Sequence, residues 1–263
     1  MPMLPARLRA IRILEPLAER DYAMSRVPVG NPSPPETVRR MFARIAARYD
    51  VMNTLMTAGL DARWRRAAVA AAGLAPGMRV LDLACGTGML ARAASAAVGH
   101  RGEVVGVDAV PAMLDRARRV PPQRGAAPIR WENGDALALS GDDAGFDAVL
   151  IGFGLRNLSD YGAALREMAR VTRPGGRVVV LEIATPRARL PRMLYGTWFR
   201  RVVPALGGLV GRGTAYTYLP ASLGTYPPPE VVAELMAAAG LGRVRWRWLT
   251  GGMTTLHVGE GAA

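Results

Sequence analysis

The sequence predicts an α/β fold built on a doubly wound, mostly parallel sheet of seven strands. Short apolar segments, which are typical of buried strands, alternate along the chain with segments whose apolar residues recur every three or four positions, as in helices. The chain has 263 residues, and 50% of them are hydrophobic. One α/β domain with a few additions accounts for that length most simply.

The chain begins with two predicted additions to this domain. Residues 1–35 are expected to form a detached N-terminal arm, because they end in the proline-rich stretch VPVGNPSPP. Residues 36–76 are expected to form a helical cap over the ligand-binding edge of the sheet. Within it, apolar residues from Val38 to Met56 lie three or four positions apart and predict one amphipathic stripe. A second cap helix is expected over residues 62–72.

The single domain is expected to span residues 36–263, with strands and helices alternating after the cap. A substrate lid is expected at residues 187–228, where a mixed hydrophobic and arginine-rich segment interrupts the alternation before the last helix and strands. The carboxyl ends of parallel strands meet at one edge, where such sheets bind their ligands. The predicted strands cover residues 80–83, 104–107, 129–131, 146–151, 177–182, 244–248 and 253–258. The helices that follow the cap are expected after Gly88 and over residues 111–120, 160–172 and 230–239.

The first two strands and the turn between them form a pattern that binds a nucleoside. Gly86 and Gly88 make a tight turn after the first strand, and Asp108 ends the second strand. The glycines let a ligand approach the backbone, and a carboxylate at the second strand end accepts hydrogen bonds from ribose hydroxyls. A dinucleotide and S-adenosylmethionine both fit this pattern. Asp82 favours S-adenosylmethionine, because a carboxylate at the end of the first strand suits an ammonium group and repels a pyrophosphate.

The composition excludes several kinds of chemistry. The chain contains no lysine, which excludes Schiff-base catalysis, a pyridoxal cofactor and a lysine-bearing phosphate loop. Two histidines and one cysteine are too few for an ordinary zinc site, so no metal is expected. The lone cysteine agrees with a cytoplasmic location. No apolar run reaches the roughly 18 residues of a membrane span, and the first residues lack the features of a secretory signal.

A net charge of +13 admits three interpretations. It fits a codon bias towards arginine, contact with an anionic membrane surface, or binding of nucleic acid. The arginines are dispersed along the chain, without a long basic block or a set of stacking aromatic residues. This dispersal favours the first interpretation and argues against nucleic acid, while peripheral contact at the inner face of a membrane stays open.

Several segments resemble the quinone-biosynthesis C-methyltransferases, which make menaquinone and ubiquinone from demethylated precursors. The most specific are YDVMN in the cap and GFGLRN after the fourth strand. VLDLACGTG and RPGGR, in contrast, occur across many S-adenosylmethionine enzymes. The matching segments lie within residues 38–259 in the family's order, and they are VRRMFARIAARYDVMNTLMTAGLDARWRR, VLDLACGTG, the aspartate of VVGVDAV, IGFGLRNLSD, RVTRPGGRVVVLE, TYLPASLGTYP and LTGGMTTLHVG.

The resemblance implies a Rossmann-like class I methyltransferase that binds S-adenosylmethionine. The family commonly has serine or alanine where Gly152 stands, and frequently asparagine where Asp135 stands. An aspartate there still accepts a hydrogen bond from the adenine amino group. Positions carried over from the family are Thr87, Asp108, Asp135, Ala136 and Gly152. The strand and turn pattern adds Asp82, Gly86 and Gly88, and Ala109 and Met113 complete the candidate cofactor-binding residues.

The reaction that the resemblance implies is methylation of a ring carbon of a demethylated polyprenyl quinol. The ring carbon becomes nucleophilic when the adjacent hydroxyl loses its proton, so the site needs a base and a group that stabilises a phenolate. Arg156 is expected to pair with the phenolate, whereas Asp50, or a water beside it, is the better base. The candidate catalytic residues are Arg156, Asn157, Asp50, Tyr49 and Asn53.

Other functions stay open at this point. A soluble aromatic or polyketide metabolite is an alternative acceptor, because the lid segment matches the family only in outline. A nicotinamide-dependent dehydrogenase and a non-catalytic, cofactor-binding member of a membrane-associated complex are more remote alternatives. The expected partner is a hydrophobic quinol as substrate, and a homodimer is also considered.

Overall fold

A computed structural model shows a central sheet with helices packed on both faces. It describes residues 12–13, 30–140, 144–184, 186, 218 and 222–262. Most of the predicted arm and most of the predicted lid lie outside these residues.

The helices bracket the strands along the chain, and three of them form the cap before the first long strand. Their bounds are α1 Pro35–Ile45, α2 Tyr49–Met56, α3 Leu60–Ala72, α4 Met89–Val98, α5 Pro111–Arg118, α6 Tyr161–Val171 and α7 Pro229–Ala238. Within the described part of the chain, no helix has the length and apolar character required to cross a bilayer.

The sheet has the predicted seven strands and one short addition. Their bounds are β1 Arg12–Ile13, β2 Arg79–Leu83, β3 Glu103–Asp108, β4 Ile129–Asn133, β5 Phe146–Gly152, β6 Thr172–Ile183, β7 Gly242–Leu249 and β8 Thr254–Glu260. The order across the sheet is β1-β7-β8-β6-β5-β2-β3-β4. The five strands from β4 to β6 are parallel neighbours. β8 is antiparallel to both of its neighbours β6 and β7, so β7 runs in the same direction as the five parallel strands. The predicted fold class is confirmed, and the two-residue β1 adds an eighth strand beside β7.

Two hydrophobic cores lie on opposite faces of the sheet. Leu81 and Leu83 of β2 belong to the core that includes α6 and α7, and Val80 belongs to the core that includes α3 and α4. Successive side chains of a strand point to opposite faces. Asp82 therefore lies on the same face as Val80, towards α3 and α4.

The helical cap differs from the single stripe that the sequence predicts. α1 and α2 are separated by a 3₁₀ turn at Ala46–Arg48, so the apolar spacing does not continue in phase from one helix to the next. Of the predicted stripe residues on α2, Met52 is buried and Tyr49 and Met56 are partly buried, whereas Leu55 is 36% exposed. The prediction of one continuous stripe is therefore wrong at Leu55.

Candidate active site

A cavity opens where the carboxyl ends of β2, β3 and β5 meet the cap helices. Its empty volume is about 1140 Å³, including its open mouth. This is the edge at which parallel sheets bind ligands, and most of the predicted site residues lie there. The predicted residues that line the cavity are Tyr49, Asp82, Gly86, Thr87, Asp108, Ala109, Met113, Asp135, Ala136, Gly152 and Asn157. Those that do not line it are Asp50, Asn53, Gly88 and Arg156.

Asp108, at the end of β3, is held by two backbone groups. The N–H of Gly86 donates to Oδ2 at 2.7 Å, and the N–H of Val110 donates to Oδ1 at 2.8 Å. Burial raises the pKa of this carboxyl, and the two N–H groups oppose that rise because they stabilise the charged form. The carboxylate is thus fixed on the cavity wall, as a ribose-binding group requires.

The turn after β2 uses left-handed backbone conformations at the cavity wall. Ala84, Gly86 and Gly88 have φ angles of 51°, 56° and 80°. This region costs a residue with a Cβ about 1–2 kcal/mol, so the alanine is strained and the glycines are not. A Cβ on Gly88 would lie 2.2 Å from Cη2 of Trp131. Gly88 is therefore needed for packing at the start of α4, and it does not line the cavity.

Asp82 is the most deeply buried ionisable group on the cavity wall. It is 1% exposed, and its Oδ2 has no hydrogen-bond partner within the described residues. Burial raises the pKa of its carboxyl to about 7. A buried carboxylate oxygen without a partner is costly, and a cationic ligand removes that cost. The end of β2 is thus suited to the ammonium group of S-adenosylmethionine.

Asp50 lies behind the cavity wall and supports a residue of the turn. Its Oδ1 accepts a hydrogen bond from Oγ1 of Thr87 at 2.5 Å, and Arg92 donates to the carbonyl oxygen of Thr87 at 2.8 Å. This contact joins α2 of the cap to the turn that opens α4. Asn53 follows on α2, where its carbonyl oxygen accepts from Thr57.

Asp135 and Ala136 line the cavity just after the end of β4. Oδ2 of Asp135 pairs with Arg39 of α1 at 3.1 Å, and its Oδ1 accepts from the N–H of Leu137 at 3.0 Å. Both partners of the ion pair are about half exposed. The side chain that is expected to bind adenine therefore also ties α1 of the cap to the cavity rim.

Arg156 is buried in an ion pair behind the cavity rather than on its wall. Its Nη1 lies 2.6 Å from Oε1 of Glu182, and its backbone N–H donates to Oε2 of the same residue at 3.2 Å. Burial alone would lower the pKa of Arg156, but Glu182 outweighs that effect and the pKa is raised. The guanidinium stays charged, so it cannot act as a base. Its Nε has no partner within the described residues.

Asn157 stands on the cavity wall at the end of a chain of hydrogen bonds. Tyr218 donates its hydroxyl proton to Oδ1 of Asn157 at 3.0 Å, and Nδ2 of Asn31 donates to the Tyr218 oxygen at 2.7 Å. Asn31 also donates to the carbonyl oxygen of Arg156 at 2.9 Å. The segment before α1 is thus bound to the turn that follows β5, next to the cavity.

Arg65 and Asn31 are two polar residues at or beside the cavity that the sequence did not indicate. Arg65 of α3 lines the cavity and pairs with Asp61, one helical turn earlier. The spacing of four residues is a signal for this ion pair, but it does not indicate that the pair lies at the cavity. Asn31 falls within the predicted arm, and no local pattern connects it with Arg156.

Comparison with known proteins adds a family and close relatives. A family model described as the ubiE/COQ5 methyltransferase family matches residues 32–261. A demethylmenaquinone methyltransferase from Thermus thermophilus is 48% identical over 84% of this chain and 99% of its own length. A demethylmenaquinone methyltransferase from Deinococcus radiodurans is 45% identical over 90% of this chain and 98% of its own length. A ubiquinone/menaquinone biosynthesis C-methyltransferase UbiE from Geobacter sp. is 40% identical over 85% of this chain and 96% of its own length.

Solved structures match the fold at low sequence identity. The [4+2]-cyclase SpnF superposes with a TM-score of 0.64 at 17% identity, covering 89% of this chain and 99% of that one. A SAM-dependent methyltransferase from Thermotoga maritima gives 0.59 at 18% identity, covering 85% and 99%. These likenesses establish the class I, Rossmann-like fold alone, because one of the two proteins is named for a cyclisation.

Proposed function

Because the chain belongs to the ubiE/COQ5 methyltransferase family, we propose that it methylates a ring carbon of a demethylated polyprenyl quinol. It is an S-adenosylmethionine-dependent methyltransferase of quinone biosynthesis, as its close relatives are named. The structural observation that carries the methyl donor is the pair of buried carboxylates, Asp82 and Asp108, at adjacent strand ends of one cavity. They suit an ammonium group and a ribose. The quinol acceptor is proposed from the family and from the names of the relatives.

The donor side of the cavity is proposed to be the wall formed by β2, β3 and the turn between them. Asp108 would hold the ribose hydroxyls, and Asp82 would hold the ammonium group. Asp135 and Ala136 would hold the adenine, for which Asp135 has to share its carboxylate with Arg39. When bound, S-adenosylmethionine supplies an electrophilic methyl group on its sulfonium.

The acceptor side is proposed to be the wall formed by Tyr49 and Asn157. Both line the cavity, and each has a polar group for a quinol oxygen. Arg156 lies behind this wall, so we propose that it holds the turn that carries Asn157 and that its positive charge helps to stabilise a phenolate. Asp50 remains the candidate base, because a carboxylate accepts a phenol proton more readily than an amide or a guanidinium. Since it does not line the cavity, we propose that it acts through a water. The catalytic role of Asn53 stays a prediction.

The substrate is proposed to reach the protein from the inner face of a membrane, while the protein itself is cytoplasmic. A polyprenyl tail resides in the bilayer, so contact with lipid shortens the path of the quinol. Val51 and Leu55 of α2 are exposed, and Arg44 and Arg48 are exposed nearby in sequence. Apolar side chains beside cations favour the surface of an anionic bilayer. The formation of a homodimer, which is a separate point, also stays a prediction.

The decisive test offers the purified protein methyl-labelled S-adenosylmethionine and three classes of acceptor. These are demethylated polyprenyl naphthoquinols and benzoquinols, the same rings without the tail, and a panel of soluble phenols and polyketides. We expect label on a ring carbon of a polyprenyl quinol, with a higher kcat/KM than on any soluble phenol. Preferential labelling of a soluble phenol contradicts the quinol proposal, and cofactor binding without any transfer favours the non-catalytic alternative.

A further inference from the structure

Arg65 is a buried cation on the wall of the active-site cavity. The chemistry proposed above gives it no role. Arg65 is 7% exposed, and its guanidinium carbon lies 5.6 Å from the centre of the Phe153 ring. Its Nη1 donates to Oδ2 of Asp61, which is itself buried and also accepts from Oγ1 of Thr57. Asp61 is its one hydrogen-bond partner within the part of the chain that the structure describes.

The position of Arg65 relates it to Asp82. Asp82 points to the face of the sheet that α3 covers, and Arg65 belongs to α3. Both residues line the same cavity, and the positive charge of Arg65 opposes the rise that burial causes in the pKa of Asp82. A fixed cation and a fixed anion thus lie near each other at the end of β2.

A neighbouring pair of opposite charges complements the two charges of an amino acid. The ammonium and carboxylate of methionine are attached to the same carbon, so a group that binds the carboxylate has to be close to Asp82. Other arginines near the cavity are less suited to this role. Arg39 lines the cavity but pairs with Asp135 at the rim. The charge of Arg92 also opposes the rise in the pKa of Asp82, but Arg92 does not line the cavity and donates to the carbonyl oxygen of Thr87. Arg156 does not line the cavity either, and it pairs with Glu182.

We propose that Arg65 binds the carboxylate of the methionine part of S-adenosylmethionine, beside Asp82 at the ammonium group. The inference rests on the cofactor of the proposed function and not on the identity of the acceptor. Asp61 holds one side of the planar guanidinium and leaves the remaining N–H groups for the ligand. A hydrogen bond between ions in a buried site is strong, so the pair would select for nucleosides that carry an amino acid.

The experiment compares two ligands that differ only in this carboxylate. S-adenosylhomocysteine and its decarboxylated analogue, 5′-(3-aminopropylthio)-5′-deoxyadenosine, share the adenosine, the sulfur and the ammonium. Isothermal titration calorimetry gives their dissociation constants for the full chain. We expect the unmodified protein to bind S-adenosylhomocysteine about 10- to 100-fold more tightly than the analogue, which is the range for hydrogen bonds to charged groups.

Arg65→Gln is expected to reduce this ratio of dissociation constants to about threefold or less, mainly because S-adenosylhomocysteine binds more weakly to the variant. Because the substitution leaves Asp61 buried without its partner, the double variant Asp61→Asn, Arg65→Gln replaces the pair by neutral amides and protects the fold. The matched control is Arg66→Gln, which removes an exposed arginine from the next position of the same helix. It is expected to keep the ratio of the unmodified protein.

Each outcome decides between a binding role and a purely structural one. If the ion pair is purely structural, Arg65→Gln lowers the unfolding temperature and raises the dissociation constants of both ligands by the same factor. That result would overturn the proposal. So would a folded double variant that keeps the original ratio. Neither readout involves a quinol, so a wrong acceptor assignment would leave this test unaffected.

Discussion

Arg156 and Glu182 form an ion pair of 2.6 Å between the turn that follows β5 and the end of β6, and both side chains are almost completely buried. Glu182 accepts from the guanidinium and the backbone N–H of Arg156, and also from the N–H of Ile183. The turn that carries Asn157 to the cavity is thus fastened to the neighbouring strand. We expect this pair to support both the fold and the acceptor side of the site.

Substituting Glu182→Gln should destabilise the protein, because it leaves the Arg156 charge buried without a counter-ion. The free energy of unfolding is expected to fall by about 3–5 kcal/mol, as measured by urea denaturation. The matched control is Glu36→Gln, whose partner Arg40 is largely exposed and whose loss is expected to cost less than about 1 kcal/mol. If the two substitutions lower the free energy of unfolding equally, the buried ion pair contributes no more to stability than the exposed one.

Substituting Asp108→Ala should abolish tight binding of S-adenosylhomocysteine. Two hydrogen bonds from ribose hydroxyls to a charged group are lost, so the dissociation constant is expected to rise by about 100-fold or more. Calorimetry measures the change, and circular dichroism checks that the fold is retained. Asp115→Ala, in an exposed ion pair on α5, is the control and is expected to leave binding unchanged. Tight binding by Asp108→Ala would refute the assignment of the ribose site.

The affinity for S-adenosylhomocysteine should depend on pH through Asp82. The pKa of this carboxyl is about 7 because burial disfavours its charge, and the ligand ammonium binds the charged form. Affinity is therefore expected to increase about tenfold from pH 6 to pH 8 and to level off above that range. The Asp82→Asn variant should lack this step. A wild-type dissociation constant that is flat over the same range contradicts the prediction.

The same group should affect stability in the opposite sense. Without ligand the folded state keeps Asp82 protonated up to about pH 7, whereas the unfolded chain loses that proton near the ordinary value of 3.8. The folded state therefore binds more protons between these values, and its free energy of unfolding decreases as the pH rises through that window. Comparing urea denaturation of the wild type and Asp82→Asn at pH 5 and pH 8 isolates this contribution.

Substituting Asn31→Ala should impair use of the acceptor and spare binding of the donor. The hydroxyl of Tyr218 loses the donor that positions it against Asn157, so kcat/KM for the quinol is expected to fall about tenfold. The dissociation constant of S-adenosylhomocysteine is expected to stay within about twofold. Ser33→Ala in the same segment is the control. An equal loss of donor affinity would mean that the segment supports the whole cavity.

Replacing the exposed apolar residues of α2 should weaken binding to membranes. The double variant Val51→Ser, Leu55→Ser removes apolar surface, so sedimentation with anionic vesicles is expected to show about tenfold weaker binding. Turnover of a tail-free quinol should be unchanged. Val120→Ser removes an apolar residue that is 45% exposed outside the cap, and it is expected to keep vesicle binding. Unchanged vesicle binding by the double variant would rule out α2 as the contact surface.

The position of Asp82 and Asp108 on one cavity wall could be predicted because it depends on local patterns. Asp82 and Asp108 end neighbouring parallel strands, and such ends must meet at one edge of the sheet. Arg65 was not found from the sequence, because its distance from the cavity depends on how α3 packs against the sheet. Asn31 was missed for a similar reason, since its partners Arg156 and Tyr218 are 125 and 187 positions away.

The cap shows where periodicity fails. The spacing of apolar residues continues from α1 into α2, but the 3₁₀ turn at Ala46–Arg48 changes the rotation per residue between the two helices. Leu55 therefore faces solvent although its spacing predicts burial. The short strand β1 could not be predicted either, because two residues carry no periodic signal and its pairing depends on the edge that β7 leaves open.

The hydrogen bond between Thr87 and Asp50 links the two walls that are proposed to receive the methyl donor and the acceptor. Thr87 belongs to the donor's turn, and Asp50 follows Tyr49 on the helix beside the acceptor. A ligand that strengthens or loosens this bond changes the free energy at which the other ligand binds. Thermodynamic linkage makes that effect equal in both directions, so the binding of the two reactants would be cooperative through this contact.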